Sequence, residues 1–206
     1  MKTGILFDLD GTLLDTLGDL CDSTNAALAQ FGYPARSLAQ VRRFVGNGAA
    51  NLIAQEVPEN ADPTPVLLAF QAYYPSHCQI KTGPYAGIPE ALEALAGKYP
   101  VAIVSNKPDT AVKPLCGHYF PGIYALGETQ GCPRKPAPDM VYKAMAAIGA
   151  DCCVYVGDSE VDVATAQNAG MPLVAVSWGF RGREKLALSG AETIVDDAEQ
   201  LLQALL

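Results

Sequence analysis

The sequence predicts an α/β protein with a doubly wound, Rossmann-like parallel sheet and a small all-helical domain inserted after the first strand. From Gly83 onward, short apolar runs alternate with stretches of helical spacing, which is the pattern of βαβ units and a parallel sheet. Between Asp15 and about Lys81, only helical spacing is found. The predicted domains are an α/β core of residues 1–14 and 82–206 and a helical insert of residues 15–81.

The first strand is predicted in the segment "ILFDLDGTLLDT", where the apolar run Ile5–Phe7 is followed by two carboxylates. Asp8 and Asp10 are two residues apart, so on a strand they would project to the same face. Two anions held together at the edge of a core repel each other and lose solvation, and they therefore require a cation or a shared proton. The alternative is an ordinary turn, because Asp-Gly is a common turn signal.

Helical patterns fill the insert. Apolar residues recur at intervals of three and four from Leu17 to Phe31, and Gly32 ends the run. Ser37 and Gln40 have the spacing of a capping box at the start of a second helix. The other predicted features are a break at Gly46-Asn47-Gly48, a helix continuing to Val57, and a further helix after Pro65.

After the insert, strands and helices are predicted in turn. Pro89 opens a helix through Leu95, and helices also follow Pro108 and the segment "RKPAPD", the latter ending near Ile148. The segment "VDVATAQNAG" has helical spacing as well. The predicted strands are "VAIVSN", "IYALG", "CVYVGD" and "PLVAVSWG", with "TIVDD" and a leucine-rich turn closing the chain.

Polar side chains stand where several of these strands end. Parallel sheets bind ligands at the carboxyl ends of their strands, which lie along one edge. We therefore expect these side chains to form one site. The candidates are Asp8 and Asp10 after the first strand, Ser105, Asn106 and Lys107 after "VAIV", Gly157 and Asp158 after "CVYV", Asp162 at the start of the next helix, and Lys135 in a loop leading into a helix.

The residue types of this site indicate phosphate chemistry with a metal. Asp8, Asp10 and Asp158 offer the hard oxygen ligands that suit Mg²⁺. Mg²⁺ is usually held by one or two carboxylates together with a phosphate, so a phosphorylated substrate is expected. Lys135 and Ser105 would contact phosphate oxygens. One carboxylate would act as the nucleophile, and the carboxylate two residues on would transfer protons.

Composition narrows the class of protein. The formal net charge of −8 argues against a surface for nucleic acid, and no apolar run is long enough to span a bilayer, so neither partner is expected. The six cysteines show no CxxC pair, and His77 and His118 lie far from any paired cysteine, so a zinc site is not expected. The cysteines are interpreted as thiols in a reducing compartment, which predicts a cytoplasmic protein. The oligomeric state is not predicted.

Four segments carry a family resemblance. "DLDGTLLDT", "SNK", "RKPAP" and "GDSEVD" resemble, in order and separation, the four motifs of the haloacid dehalogenase-like superfamily, and the resemblance covers nearly the whole chain. The insert is similar to the small helical cap of the subgroup that includes phosphoglycolate phosphatases. The resemblance implies a Mg²⁺-dependent phosphatase that hydrolyses a small phosphate monoester, with 2-phosphoglycolate as the first candidate, through a phosphoaspartyl intermediate.

The same resemblance implies roles for individual residues. Asp8 would be the nucleophile, and Asp10 the general acid–base whose backbone carbonyl also reaches Mg²⁺. Asp158 would join Asp8 and Asp10 as a metal ligand. The remaining implied roles are binding of the phosphoryl group by Ser105 with Asn106 beside it, charge stabilisation by Lys135, and support of the site by Gly11, Thr12 and Asp162.

The insert segment "RRFVGNG" matches the part of the cap that faces the active site in this family. The match implies that Arg42 or Arg43 contacts a substrate carboxylate and that Gly46 and Gly48 let the backbone approach the substrate. The alternative is a solvated basic turn between two helices.

Other functions remain open from the sequence. A phosphosugar mutase keeps both aspartates, related caps also serve pyrophosphatases, and receiver-type signalling domains use an acidic pair, Mg²⁺ and a lysine as a phosphoaspartate switch. Receiver domains are shorter and lack a helical insert, which here would form a lid that excludes water. A phosphonate hydrolase of the superfamily needs a cap lysine, and residues 15–79 contain none.

Overall fold

The computed structural model describes residues 1–206 and contains one parallel sheet and one short antiparallel pair of strands. In chain order the strands are β1 (Thr3–Phe7), β2 (Leu14–Asp15), β3 (Gly83–Pro84), β4 (Val101–Pro108), β5 (Tyr124–Glu128), β6 (Cys152–Gly157), β7 (Leu173–Val176) and β8 (Ile194–Val195). The parallel sheet has the order β5-β4-β1-β6-β7-β8, and β2 pairs with β3. The predicted α/β fold class with a Rossmann-like parallel sheet is confirmed.

Ten α-helices and one 3₁₀ turn accompany the strands. The helices are α1 (Leu17–Ala29), α2 (Leu38–Phe44), α3 (Ala49–Glu56), α4 (Thr64–Tyr73), α5 (Ile88–Ala96), α6 (Asp109–Tyr119), α7 (Asp139–Ala147), α8 (Glu160–Ala169), α9 (Gly182–Leu188) and α10 (Ala198–Leu205), and the 3₁₀ turn spans Tyr74–Ser76. None of the helices combines the length and the apolar character needed to cross a membrane.

Strand β1 occupies the centre of the sheet, between β4 and β6. Ile5, Leu6 and Phe7 are all buried, as expected for a strand covered on both faces. Phe7 is in register with Ile103 of β4 and with Val156 of β6. This register brings three polar residues to one edge of the sheet: Asp8 after β1, Ser105 in β4 and Asp158 after β6.

Helices α1 to α4 form the insert. α1 packs against α2 and α4, and α3 packs against the same two helices. The two ends of the insert are joined by the antiparallel pairing of β2 with β3, which places Leu14 beside Pro84. We propose that residues 15–81 act as a cap on a core of residues 1–14 and 82–206, a division supported by this pairing at the predicted boundaries.

A local sequence signal explains where helix α2 begins. Ser37 and Gln40 form the predicted capping box of α2, since the Gln40 backbone N–H donates to Ser37 Oγ and the Ser37 backbone N–H donates to Gln40 Oε1. The β2–β3 pair and helix α9 were not predicted, and the leucine-rich turn predicted at the end of the chain is the helix α10. The segment of α9 has little apolar periodicity, and Leu186 is its single buried residue.

Candidate active site

Asp8, Ser105 and Asp158 meet at the carboxyl edge of the sheet, and all three are buried. Asp8 follows β1 directly, and its backbone N–H donates to the Val156 carbonyl of β6 at 2.8 Å. The main-chain bonds of the central strands therefore fix the nucleophile candidate. The predicted grouping of side chains from three strands is present in the structure.

Lys135 lies at the centre of the buried charges. Its ammonium group donates to Asp8 Oδ1 at 2.7 Å, to Asp162 Oδ1 at 2.9 Å and to the Tyr155 hydroxyl at 2.8 Å. All three ammonium hydrogens are thereby used. Tyr155 was not identified as a site residue from the sequence, because within the predicted strand "CVYVGD" it has the pattern of an apolar residue.

Asn106 holds the loop that carries Lys135. The Lys135 backbone N–H donates to Asn106 Oδ1 at 2.8 Å, and Asn106 Nδ2 donates to the Lys135 carbonyl at 2.9 Å and to the Gly46 carbonyl at 3.0 Å. Asn106 lines the cavity described below, but its amide is committed to these three backbone groups. In this arrangement it positions Lys135 and the insert loop, and its role in substrate binding stays a prediction.

Asp162 supports the site from helix α8. Ser159 caps this helix, and its hydroxyl donates to Asp162 Oδ2 at 2.6 Å. The other oxygen of Asp162 accepts from Lys135 and Tyr155. Gly157 makes room for this side chain, because a Cβ at Gly157 would lie 2.4 Å from Cβ of Asp162.

Asp10 belongs to a second ion pair. Its Oδ1 accepts from Lys107 Nζ at 2.8 Å and from Thr16 Oγ1 at 2.7 Å. The backbone bonds of the turn use the carbonyls of Leu9 and Leu14, which leaves the Asp10 carbonyl available to a ligand. The sequence placed Lys107 near the site but gave it no role, and it gave no signal for Thr16.

Two glycines pack against Asp158. Its Oδ2 accepts from the Phe180 backbone N–H at 2.6 Å, and a Cβ at either Gly11 or Gly179 would lie 2.4 Å from that oxygen. Gly11 has a φ of +85°, which favours glycine on conformational grounds as well. Thr12 is buried, and its carbonyl accepts from the Trp178 indole N–H at 3.1 Å.

Burial and crowding shift the protonation of the site. Burial raises the pKa of Asp8 to about 7, against the attraction of the Lys135 ammonium. Burial also raises the pKa of Asp158, and the Asp162 and Asp8 carboxylates add to the effect. For Lys135, burial alone would lower the pKa, but Asp162 and Asp8 outweigh it and hold the pKa well above its ordinary value. The lysine therefore stays charged among carboxylates that repel one another.

The donor set fits a divalent cation. One carboxylate oxygen from each of Asp8, Asp158 and Asp162 lies within 4.8 Å of the others. With Asp10, four carboxylates face the two ammonium groups of Lys107 and Lys135, which leaves an excess of two negative charges when all are ionised. Both oxygens of Asp162 already accept hydrogen bonds, so Asp8 and Asp158 are the more available ligands.

A small cavity lies over Asp8 and Asp10, between the core and the insert. About 40 Å³ is open to the centre of a water molecule. Gly46 and Gly48 line it with φ values of +109° and +81°, conformations that glycine adopts readily. The remaining lining residues are Leu20, Val45, Ala49, Leu52, Phe70, Tyr74, Ser105, Asn106, Lys107 and Pro108.

Arg42 and Arg43 do not line this cavity. The Arg42 guanidinium instead donates to the carbonyls of Phe180 and Gly179 at 2.9 and 2.7 Å, and both arginines face a separate outer groove. Two donors of Arg42 thus bind backbone carbonyls of the core outside the cavity, and the contact of Arg42 or Arg43 with a substrate carboxylate stays a prediction.

Arg181 makes the reciprocal contact, from the core to backbone carbonyls of the insert. Its guanidinium donates to the carbonyls of Arg42 at 2.8 Å and Val45 at 2.7 Å. The two arginines thus cross the boundary between core and insert in opposite directions, and we call Arg42 and Arg181 the arginine clasp. The clasp holds the insert against the segment whose Phe180 N–H contacts Asp158.

This fold and this arrangement of aspartates and lysine define a class of hydrolase, and comparison with known proteins agrees. The model of the haloacid dehalogenase-like hydrolase family matches residues 5–176. The chain belongs to this family.

Individual relatives give a more specific comparison than the family model. The chain is 33% identical to a phosphoglycolate phosphatase of Pseudomonas syringae pv. tomato, over 96% of this chain and 78% of that protein. It is 34% identical to a phosphoglycolate phosphatase of Rhodospirillum rubrum, over 98% and 90%. A crystal structure of a Lactobacillus delbrueckii subsp. bulgaricus protein, provisionally named a phosphoglycolate phosphatase, has 38% identity and a TM-score of 0.93, and the match covers 100% of this chain and 99% of that one. Family and relatives confirm the predicted enzyme class, a phosphoric monoester hydrolase.

Proposed function

We propose that the protein is a Mg²⁺-dependent phosphatase that hydrolyses a small phosphate monoester, first of all 2-phosphoglycolate, through an aspartyl phosphate on Asp8. The observation that carries the proposal is the buried Asp8–Lys135 pair beside an excess of negative charge and under a small cavity. We further propose a small phosphorylated metabolite as its partner and the cytoplasm as its location, on the grounds of composition given above.

Asp8 is suited to nucleophilic attack. Lys135 holds its Oδ1, while its Oδ2 accepts no hydrogen bond from the protein. In the first step an oxygen of Asp8 attacks phosphorus and the P–O bond to the leaving group breaks, with the Lys135 ammonium reducing the repulsion between the two anions. In the second step water attacks the aspartyl phosphate, which releases inorganic phosphate and restores the carboxylate.

Asp10 is proposed to move the protons. Lys107 and Thr16 both bind its Oδ1, which orients the carboxyl group and leaves Oδ2 free. This oxygen would protonate the leaving alkoxide in the first step and take a proton from water in the second. Ser105 would bind the phosphoryl group, since its Oγ accepts from the Lys107 backbone N–H at 3.2 Å and keeps its own hydrogen for a phosphate oxygen.

Asp8, Asp158 and the Asp10 carbonyl would hold Mg²⁺. When bound, the ion supplies positive charge to the phosphate and to the crowded carboxylates. The Phe180 N–H fixes Asp158 for this role, and the close approach of Gly11 and Gly179 keeps the carboxylate in place.

The test is phosphate release from a panel of small esters, with Mg²⁺ and with EDTA. The panel contains 2-phosphoglycolate, glucose 1-phosphate, a nucleoside monophosphate and pyrophosphate. We expect release that depends on Mg²⁺ and is fastest from 2-phosphoglycolate, with at least about a 100-fold loss in EDTA because the carboxylates then repel the phosphate. Fastest release from pyrophosphate would favour a pyrophosphatase, and isomerisation of glucose 1-phosphate without release would favour a mutase. Uptake of phosphate from acetyl phosphate without turnover would favour a signalling switch.

The arginine clasp is proposed to keep the cap closed. Replacing Arg181 by glutamine removes its hydrogen bonds to two insert carbonyls and its ion pair with Glu160 at 2.8 Å. We expect kcat/KM to fall by at least about 10-fold, mainly through a higher KM, because the loss of even one hydrogen bond to a charged group costs about 1.5–3 kcal/mol. Arg183→Gln, which breaks an exposed ion pair with Asp196, is the matched control. Identical steady-state kinetics in the two variants would refute a role of the clasp in closure.

A further inference from the structure

The cavity over Asp8 has two chemically different walls. The apolar part of the wall comes from the insert and consists of Leu20, Val45, Ala49, Leu52 and Phe70. Beyond the residues that bind the phosphoryl group, Lys107 and Tyr74 are the polar side chains of the wall with donors to spare. The leaving group of a substrate would therefore meet either an apolar surface or these two side chains.

Lys107 is a buried cation with few partners. Its side chain is 3% exposed, and its ammonium group makes one hydrogen bond, to Asp10 Oδ1 at 2.8 Å. An ammonium group has three donors, so two of them are unused. The Asp10 carboxylate at 2.8 Å favours the charged form of the amine. The group therefore remains a cation with donors directed away from Asp10.

Tyr74 adds a second unused donor next to Lys107. Its side chain is buried, and its hydroxyl has no hydrogen-bond partner. Lys107 Nζ lies over the Tyr74 ring, 4.8 Å from its centre, so the two side chains are neighbours in the cavity wall. A buried hydroxyl without a partner is unfavourable, and an acceptor in the cavity would satisfy it.

The clasp arginines and Asn106 are not placed to bind a leaving group, because Arg42 and Arg181 do not line the cavity and both amide hydrogens of Asn106 are used. The clasp arginines are bound to backbone carbonyls, and the Asn106 amide is bound to the carbonyls of Gly46 and Lys135. A carboxylate can accept from both Lys107 and Tyr74, through one oxygen or through each of its two oxygens. Because Asp10 already neutralises part of the Lys107 charge and the cavity is small, a singly charged carboxylate fits better than a second phosphate.

We infer that the Lys107 ammonium and the Tyr74 hydroxyl form a carboxylate-binding subsite, so that the preferred substrates are phosphate monoesters of small hydroxy acids. This inference rests on the proposed phosphatase function and deepens it, since it identifies residues that select the leaving group. It replaces the expected role of Arg42 in binding the substrate carboxylate. The apolar insert side would then exclude leaving groups with many hydroxyl groups.

The test compares 2-phosphoglycolate with ethyl phosphate, which has a methyl group in place of the carboxylate. We expect the wild type to prefer 2-phosphoglycolate in kcat/KM, and Tyr74→Phe to reduce this preference by about 10-fold, mainly through KM, as for the loss of one hydrogen bond to a charged group. The informative quantity is the ratio of the two kcat/KM values, which removes any effect of the substitution that is common to both esters. Tyr73→Phe, on the adjacent residue whose ring stacks on His77, is the matched control and should leave the preference unchanged.

Lys107→Met provides the second variant. It also removes the partner of Asp10, so both esters will react more slowly, and the ratio of their kcat/KM values is the informative quantity. We expect this ratio to fall further than in Tyr74→Phe, because the charge of the subsite is lost. A ratio unchanged in both variants, or equal loss of activity on both esters in Tyr74→Phe, would overturn the subsite.

Binding measurements separate failure of the subsite from failure of the proposed function. In Asp8→Asn protein with Mg²⁺, calorimetry should show tighter binding of 2-phosphoglycolate than of ethyl phosphate, and the additional Tyr74→Phe change should remove most of the difference. If the wild type releases no phosphate but this difference is present, the subsite stands and the phosphatase proposal fails. If phosphate is released and the two esters bind equally, the subsite fails alone. Tighter binding of pyrophosphate than of 2-phosphoglycolate would assign the subsite to a second phosphate and overturn the inference.

Discussion

Asp8→Asn is expected to abolish turnover while leaving the protein folded. The substitution keeps the shape of the side chain but removes the anionic oxygen that is proposed to attack phosphorus. We expect the rate of phosphate release to fall by about 10⁴-fold or more, the scale observed when a hydrolase loses its nucleophile. Thermal unfolding should change little, because Lys135 keeps its partners Asp162 and Tyr155 and the variant has one buried carboxylate fewer.

The control for Asp8→Asn is Asp22→Asn. This substitution makes the same change of charge at an exposed carboxylate that pairs with Lys81 on the insert surface, and it should retain full activity. Mass spectrometry of the wild type quenched during turnover should find the phosphoryl group on Asp8. Appreciable phosphate release by Asp8→Asn would exclude the proposed mechanism.

Lys135→Met should lower both stability and activity. Lys135 is the cation that contacts Asp8 and Asp162, and without it these buried carboxylates face each other uncompensated. Breaking one side of a buried ion pair costs about 3–5 kcal/mol, so we expect a loss of this size in the free energy of unfolding, measured by chemical denaturation. Phosphate release should fall to near background, because Lys135 is the one cationic side chain in contact with Asp8.

The control for Lys135→Met is Lys143→Met. Lys143 lies on the exposed side of α7 and forms no ion pair, so its loss should change stability by less than about 0.5 kcal/mol, the usual range for surface substitutions. If Lys135→Met unfolded at the same denaturant concentration as the wild type, the prediction would be wrong. The buried carboxylates would then not depend on Lys135 to compensate their charge.

Much of the fold could be predicted because its signals are local. The apolar run of β1, the capping box of α2 and the glycines and prolines that bound the helices each act within a few residues. The parallel sheet followed from the alternation of such elements, and it brought Asp8, Ser105 and Asp158 to one edge. Helix α9 and the β2–β3 pair escaped prediction, since the first has little apolar periodicity and the second consists of two residues per strand.

For the candidate site, the residues could be predicted from the sequence but most of their contacts could not. The sequence pointed to Asp8, Asp10, Lys135, Asp158 and Asp162 because aspartates and lysines near strand ends are themselves a signal. It gave no signal for the Lys135–Tyr155 contact, for the binding of Asp10 by Lys107 and Thr16, or for the Phe180 N–H at Asp158. These contacts join residues up to 97 positions apart and depend on which atoms remain unpaired after folding.

The sequence by itself determined the fold class, the order of the elements and the edge of the sheet where the charged residues gather. Strand and helix periodicity is set within each segment, and alternating strands and helices form a parallel sheet whose strands end along one edge. Only the tertiary structure decided how those residues are paired and which donors stay free. The guanidinium of Arg42 turns to the core backbone, whereas Lys107 and Tyr74 keep unused donors in the cavity. The physical reason is that hydrogen-bond partners are assigned by the packing of distant segments, and the geometry of that packing is absent from any short stretch of sequence.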